Sequence, residues 1–224
     1  MPNTVELGQQ NLERGRYEVA FDIFMDLAQY ELNEEAQYAL VKMCFDGHMD
    51  PEQIEKLFKW LNYETEIGNG YSYFNIGLLY EKGLGNVEHN LKVAIEYYQK
   101  AVLADVIDAY CNLGNIYVGV SGDHPELVID IPKGISLLAK GAELGSRQAA
   151  YTLGCLYEKG ELVKQDHSKA FYNLTLATLA KHDQAHRCLI IMQHAVKKDF
   201  TKEFDAAERA YWRLEGERRM YRLL

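Results

Sequence analysis

His182 and His186 lie four residues apart in His-Asp-Gln-Ala-His, a spacing that puts two imidazoles on one helical face, as in a zinc-binding pair. Asp183 stands where a metalloprotease places its glutamate base, and no third ligand follows at a matching spacing. The two are therefore read as surface or helix-packing histidines. Cys44, Cys111, Cys155 and Cys188 are the other candidates for metal or redox chemistry. They occur singly, with no CxxC and no Cys/His cluster, and read as reduced, partly buried thiols. Gly83-Leu84-Gly85 precedes a helical pattern as a phosphate-binding loop would, but it also follows one and lacks the strand such a loop needs. No G-x-S-x-G or Walker string occurs. No catalytic residue, metal ligand or cofactor site is assigned, and the chain is expected not to be an enzyme.

The elements that would carry these residues are clearest from Tyr71 to Asp105, which reads as two helices of about three turns around a glycine-rich corner. In the first helix Ile76 and Tyr80 share a face, and Gly77 gives up about 1 kcal/mol of helix propensity relative to Ala. The spacing predicts a close crossing by the second helix at Gly77, covered by the Tyr80 ring. Gly83 is expected to end the helix, Asn90 to cap the next one, and Ala94, Tyr97, Tyr98 and Ala101 to form its buried stripe. One such hairpin cannot bury its stripes alone, so neighbours are required on both sides.

Those neighbours are visible as a repeat. A small residue four before a Leu or Ile recurs as Ala36, Ser72, Ala109, Ala149 and Ala185, followed by Leu40, Ile76, Leu113, Leu153 and Leu189. Three units carry a full string in register: Ile76-Gly77-Leu78-Leu79-Tyr80, Leu113-Gly114-Asn115-Ile116-Tyr117 and Leu153-Gly154-Cys155-Leu156-Tyr157. Gln53, Asn90, Asp130 and Asp166 are expected to cap the second helices, and Gly68 and Gly145 to turn the chain into the next unit.

The pattern A/S-x3-L/I-G-x2-Y-x2-G, then D/N-x2-K-A-x2-Y-Y-x2-A, resembles the Sel-one-like repeat family, longer relatives of tetratricopeptide repeats. The resemblance covers residues 36–185. Val41 and Cys44 replace the Gly and Tyr of the first of these units, and Ile190 and Gln193 those of the last. Residues 1–35 look like a tetratricopeptide-type N-terminal cap, with Gly15, Tyr17, Ala20, Phe24, Leu27 and Ala28, and 186–224 like C-terminal capping helices. The resemblance implies an all-α protein, a right-handed α/α superhelix of about six helix-turn-helix repeats in a single domain, 1–224. It also implies a scaffold or adaptor of bacterial type that binds other proteins.

Composition agrees with that class. Few prolines and few alternating Val/Ile/Thr runs disfavour strands, and no apolar run reaches the roughly 20 residues of a membrane span. With neither a basic n-region nor an apolar h-region at the start, the expected compartment is the cytoplasm. Net charge is −9, and the first 70 residues, with 14 acidic and 5 basic side chains, hold all of it. The segment from Lys181 onward is mildly basic. An acidic module disfavours nucleic acid and anionic membrane and suits a basic protein partner. The chain is expected to be a monomer.

If the first helices line a concave face as in tetratricopeptide stacks, the positions two before and two or five after the Leu/Ile face it. The predicted partner-binding residues are Tyr38, Phe45, Tyr71, Phe74, Leu78, Glu81, Asn115, Tyr151, Glu158 and Arg187, an aromatic groove with flanking charges. The longer corner at 118–132 is a further candidate contact loop. The alternative to a scaffold is an immunity or antitoxin protein that neutralises a cognate basic toxin by direct binding.

Overall fold

A computed structural model describes residues 4–31, 33–84, 87–120 and 129–221. Gly85 and most of the 118–132 corner lie outside the described residues. Every regular element among those described is a helix, in agreement with the all-α class read from the sequence. The chain divides into two compact units, Met1–Val106 and Ile107–Leu224.

The first unit holds three helix pairs: α1 (Val5–Glu13) with α2 (Tyr17–Tyr30), α3 (Glu34–Phe45) with α4 (Pro51–Glu66), and α5 (Gly70–Lys82) with α6 (Leu91–Leu103). Its core gathers Phe21, Phe24, Met25, Leu40, Met43, Leu57, Leu61, Ile76 and Leu79. The second unit holds α7 (Ile107–Tyr117) with α8 (Ile131–Glu143), α9 (Arg147–Lys159) with α10 (His167–Leu179), and α11 (Asp183–Ala195) followed by α12 (Thr201–Tyr221). Leu138, Leu153, Phe171, Leu174, Leu189 and Phe200 anchor its core. Each such side chain, moved from water to the interior, contributes about 1.5–3 kcal/mol.

Local sequence sets the helix ends. The carboxamide or carboxylate of Asn90, Asp130 and Asp166 accepts from the backbone N–H three residues on, so three of the four expected second-helix caps are found. In α4 the cap is Asp50 rather than Gln53. Pro51 fixes the first helical residue, and Gln53 closes a capping box by accepting from the Asp50 N–H. Gly83 ends α5 at φ +63° as expected. Gly68 and Gly145 make the left-handed inter-repeat turns, but Asp105 and Lys181 occupy the equivalent turns at φ +57° and +61°. The turn geometry is thus retained where glycine is absent, at a steric cost of about 1–2 kcal/mol per residue.

Within four pairs the second helix packs closely against a glycine of the first. A Cβ on Gly8, Gly77, Gly114 or Gly154 would run into Phe24, Tyr98, Leu138 or Leu174 of the partner helix. Those pairs, α1/α2, α5/α6, α7/α8 and α9/α10, are the closely packed ones. Val41 and Ile190 hold the glycine position in α3 and α11, and their backbones stay further from α4 and α12. The residue covering Gly77 is Tyr98, not Tyr80, whose ring instead stacks on Tyr97 at 5.9 Å.

Candidate functional site

The predicted groove positions do not share one environment. In α5, Phe74, Gly77 and Glu81 fall at i, i+3 and i+7 and so lie on one helical face. All three surround the fully buried Tyr98 of α6. The Phe74 ring sits 5.7 Å from the Tyr98 ring, and the Tyr98 hydroxyl donates to Glu81 Oε2 at 2.6 Å. Lys82 Nζ approaches the other carboxylate oxygen at 2.5 Å. Phe74, only 8% exposed, therefore packs between its own two helices instead of lining a groove. Leu78 and Glu81 are half-buried beside it.

Exposure along the stripe follows the helix pairs of each unit. In the first unit it is greatest on α3, where Tyr38 is 62% and Phe45 39% exposed, and falls on α5, where Tyr71 alone of the expected positions is exposed. In the second unit it is least on α7, where Cys111 and Val118 are buried. Asn115 there is half-buried and turns its amide toward Cys111 Sγ at 3.6 Å. On α9, Tyr151 is half-buried while Glu158 is exposed, and on α11 Arg187 is exposed. On α5 the difference follows the crossing: Phe74, on the same face as Gly77, packs against Tyr98 of α6, while Tyr71 in the first turn stays exposed.

Around Tyr38 and Phe45, α3 also exposes Glu34, Glu35, Lys42 and, at its end, Asp46. Lys42 Nζ pairs with Asp46 at 2.6 Å. That contact holds the Asp46 carboxyl below its ordinary range and the Lys42 ammonium above its own.

In the second unit, His182 is the N-cap residue of α11 rather than part of the helix. Its ring stacks on Tyr151 at 4.2 Å, and Nε2 lies 3.0 Å from Gln148 Oε1. Burial, then the nearby Arg147 guanidinium, push its pKa down. His186 is exposed, and the two do not converge. Among the described residues no group of three or more His, Cys, Asp or Glu side chains is placed to hold a metal ion. The four cysteines carry no disulfide; Cys44 and Cys111 are buried, Cys155 and Cys188 half-exposed. Burial, aided by the Asp108 carboxylate, drives the Cys111 thiol up to about 12.

Two features escaped the sequence reading. Lys198 Nζ hydrogen-bonds Ser168 Oγ and lies 3.4 Å from Glu203, which itself accepts from Ser168. A serine–lysine pair does nucleophilic chemistry through a neutral amine, whereas this amine faces a carboxylate, and the triad ties the start of α12 to α10. A cleft of about 270 Å³ opens between α8, α9, α10 and α12, floored by Ala139, Leu153, Leu176 and Leu214 and rimmed by Glu143, Lys169 and Arg213. Neither has a motif in one stretch of chain, because each joins residues from separate helices. No helix among the described residues is long and apolar enough to cross a membrane.

Comparison with solved structures places these elements in a known fold. The chain is similar to a Sel1 repeat protein from Oxalobacter formigenes, with 22% identity, TM-score 0.63, and coverage of 94% of this chain and 84% of that one. It also aligns to a protective antigen present in uropathogenic Escherichia coli strains that displays an SLR fold, with 20% identity, TM-score 0.41, and coverage of 92% and 51%. No curated protein sequence matches the chain. The Sel1 repeat model matches residues 70–106, 107–146 and 147–182. These are the three units with the complete glycine-containing string, and together they span half of the protein. The chain belongs to the Sel1 repeat family.

Proposed function

We propose that the protein is a scaffold that binds a protein or peptide partner through aromatic side chains left exposed on its first helices, foremost Tyr38 and Phe45 of α3. Sel1 repeat proteins are generally protein-interaction scaffolds. The observation that carries the reading is the exposure of these two rings, seven residues apart on one helix face, beside Glu34, Glu35 and Asp46. Large aromatics ringed by polar groups are what binding hot spots are made of. The charge of −9 over the first 70 residues favours a basic partner, whose approach it would steer. Tyr71 extends the same surface type on α5, and Tyr151, Glu158 and Arg187 supply contacts on the second unit. The proposed compartment is the cytoplasm and the proposed state a monomer.

The test uses the whole chain as bait in its native cell, comparing the unaltered protein with Tyr38→Ala/Phe45→Ala. A partner recovered by the first and lost by the second, at equal melting temperature, supports the reading. Equal recovery by both counts against it. The same acidic segment favours a second reading, an immunity protein that covers a basic toxin. Rescue of cells from a toxin encoded beside this chain, abolished by the same double substitution, would select it.

A further inference from the structure

The cleft between α8, α9, α10 and α12 of the second unit joins an apolar interior to a positively charged mouth. Leu153 of α9 and Leu176 of α10 are buried in its lining, and half-buried Leu214 of α12 joins them. The space exists because Ala139 and Ala142 of α8 and Ala210 of α12 stand where larger side chains would fill it. At about 270 Å³ it is smaller than a drug-sized site and suits a molecule with the bulk of one large side chain. The charged lining residues, Glu143, Lys169 and Arg213, are all exposed and so form the rim. They are not equivalent. Lys140 Nζ lies 3.9 Å from Glu143, so the acidic group already has a cation beside it. Lys169 Nζ sits 5.0 Å from the centroid of the Tyr157 ring. Among the described residues neither Lys169 nor Arg213 has a carboxylate partner. The mouth therefore offers two cations that lack an anion, above a floor that lacks an apolar occupant.

We propose that this cleft binds a small monocarboxylic acid with an apolar body, which lies on Leu153, Leu176 and Leu214 while Arg213 and Lys169 hold its carboxylate. The guanidinium presents two parallel N–H donors that match a carboxylate, and the ammonium acts beside it as a point charge. The apolar body supplies most of the affinity, because its removal from water outweighs an ion pair at an exposed rim. A neutral molecule of the same shape leaves both cations unpaired, and a cationic one is repelled. The ligand enters whole, since the volume has no room for a length of polypeptide. No residue of the α3 surface takes part, so this site and the proposed partner surface stand or fall separately.

The experiment titrates hydrocinnamate into the full chain at low salt by calorimetry and follows the amide chemical shifts of isotope-labelled protein. The expected result is saturable one-to-one binding with Kd below about 1 mM and the largest shifts at Leu153, Tyr172, Leu176 and Leu214. Hydrocinnamide, which has the ring without the charge, and acetate, which has the charge without the ring, should each bind at least about tenfold more weakly. Arg213→Gln, at an exposed position, should melt like the native chain and bind the acid about fivefold more weakly or worse, with the amide unaffected. Ala139→Leu, which fills the cleft, should exclude both. No saturable heat up to about 10 mM acid, equal binding of acid and amide, shifts centred outside the cleft, or native affinity in Arg213→Gln would overturn the proposal. So would tighter binding of a tripeptide ending in phenylalanine than of the free acid, which would make the cleft a peptide-docking site. Because the ligand series is read in the unaltered protein, the outcome does not depend on any variant folding.

Discussion

A Cβ placed on Gly77 would come within 2.8 Å of two ring atoms of Tyr98, so this glycine and this tyrosine define how closely α5 and α6 cross. Gly77→Ala gains about 1 kcal/mol of helix propensity but forces the most buried ring of the hairpin aside, at about 1–3 kcal/mol. The substitution should lower stability in urea unfolding. Gly216→Ala, on the exposed face of α12 with nothing within 4 Å of the added carbon, should raise it by up to about 1 kcal/mol. A stability gain at position 77 would show that Tyr98 yields to the methyl group.

Tyr98 also carries the hydrogen bond to Glu81. Removing a hydroxyl that donates to a carboxylate costs about 1.5–3 kcal/mol, so Tyr98→Phe should be destabilised by that amount with the helix content of the native protein. An unchanged urea midpoint would mean that solvent replaces the bond.

His182 makes stability depend on pH. Its folded pKa lies below the ordinary 6.5, through burial and the Arg147 charge, with Asp183 opposing. The unfolded chain therefore binds the proton more readily, so the contribution is complete above pH 6.5 and is lost as pH falls through that value toward the folded pKa. Between pH 7.5 and 5 the melting temperature of the native protein should fall more steeply than that of His182→Gln. Parallel curves would contradict this.

Lys181 holds a left-handed turn at φ +61°, where a side chain is strained and glycine is not. Its main-chain carbonyl, which accepts from Arg147, survives substitution. Lys181→Gly should therefore raise stability by about 0.5–1 kcal/mol, the relief of strain exceeding the added freedom of the unfolded chain. A drop in melting temperature would place the strain elsewhere.

Much of this fold is legible in the residues alone, since caps such as Asn90 and Asp166 and the Ile76-Gly77 string act through neighbours within one helical turn. Asp50 escaped detection because the Pro51 that follows shifts the start of α4 by three residues, which periodicity cannot resolve. Asp105 and Lys181 escaped it because the turn is imposed by the packing of flanking helices against local preference. The groove was the least legible part. Phase along α5 places Phe74 and Glu81 on one face, but whether that face meets solvent depends on how far Tyr98 reaches beneath it, a property of the other helix. The approach of Tyr151 to Cys188 likewise depends on pairing across a whole repeat.

The central claim is that Tyr38 and Phe45 bind a partner without holding the fold, whereas Phe74 holds the fold. It is tested most directly by titrating the captured partner into the native chain, Tyr38→Ala/Phe45→Ala and Phe74→Ala, with melting temperatures measured alongside. The account predicts that the double variant melts like the native chain, within about 0.5 kcal/mol, and binds at least tenfold more weakly. Phe74→Ala should lose about 3–5 kcal/mol of stability. Native affinity in the double variant, or a collapse of its stability, would contradict the account.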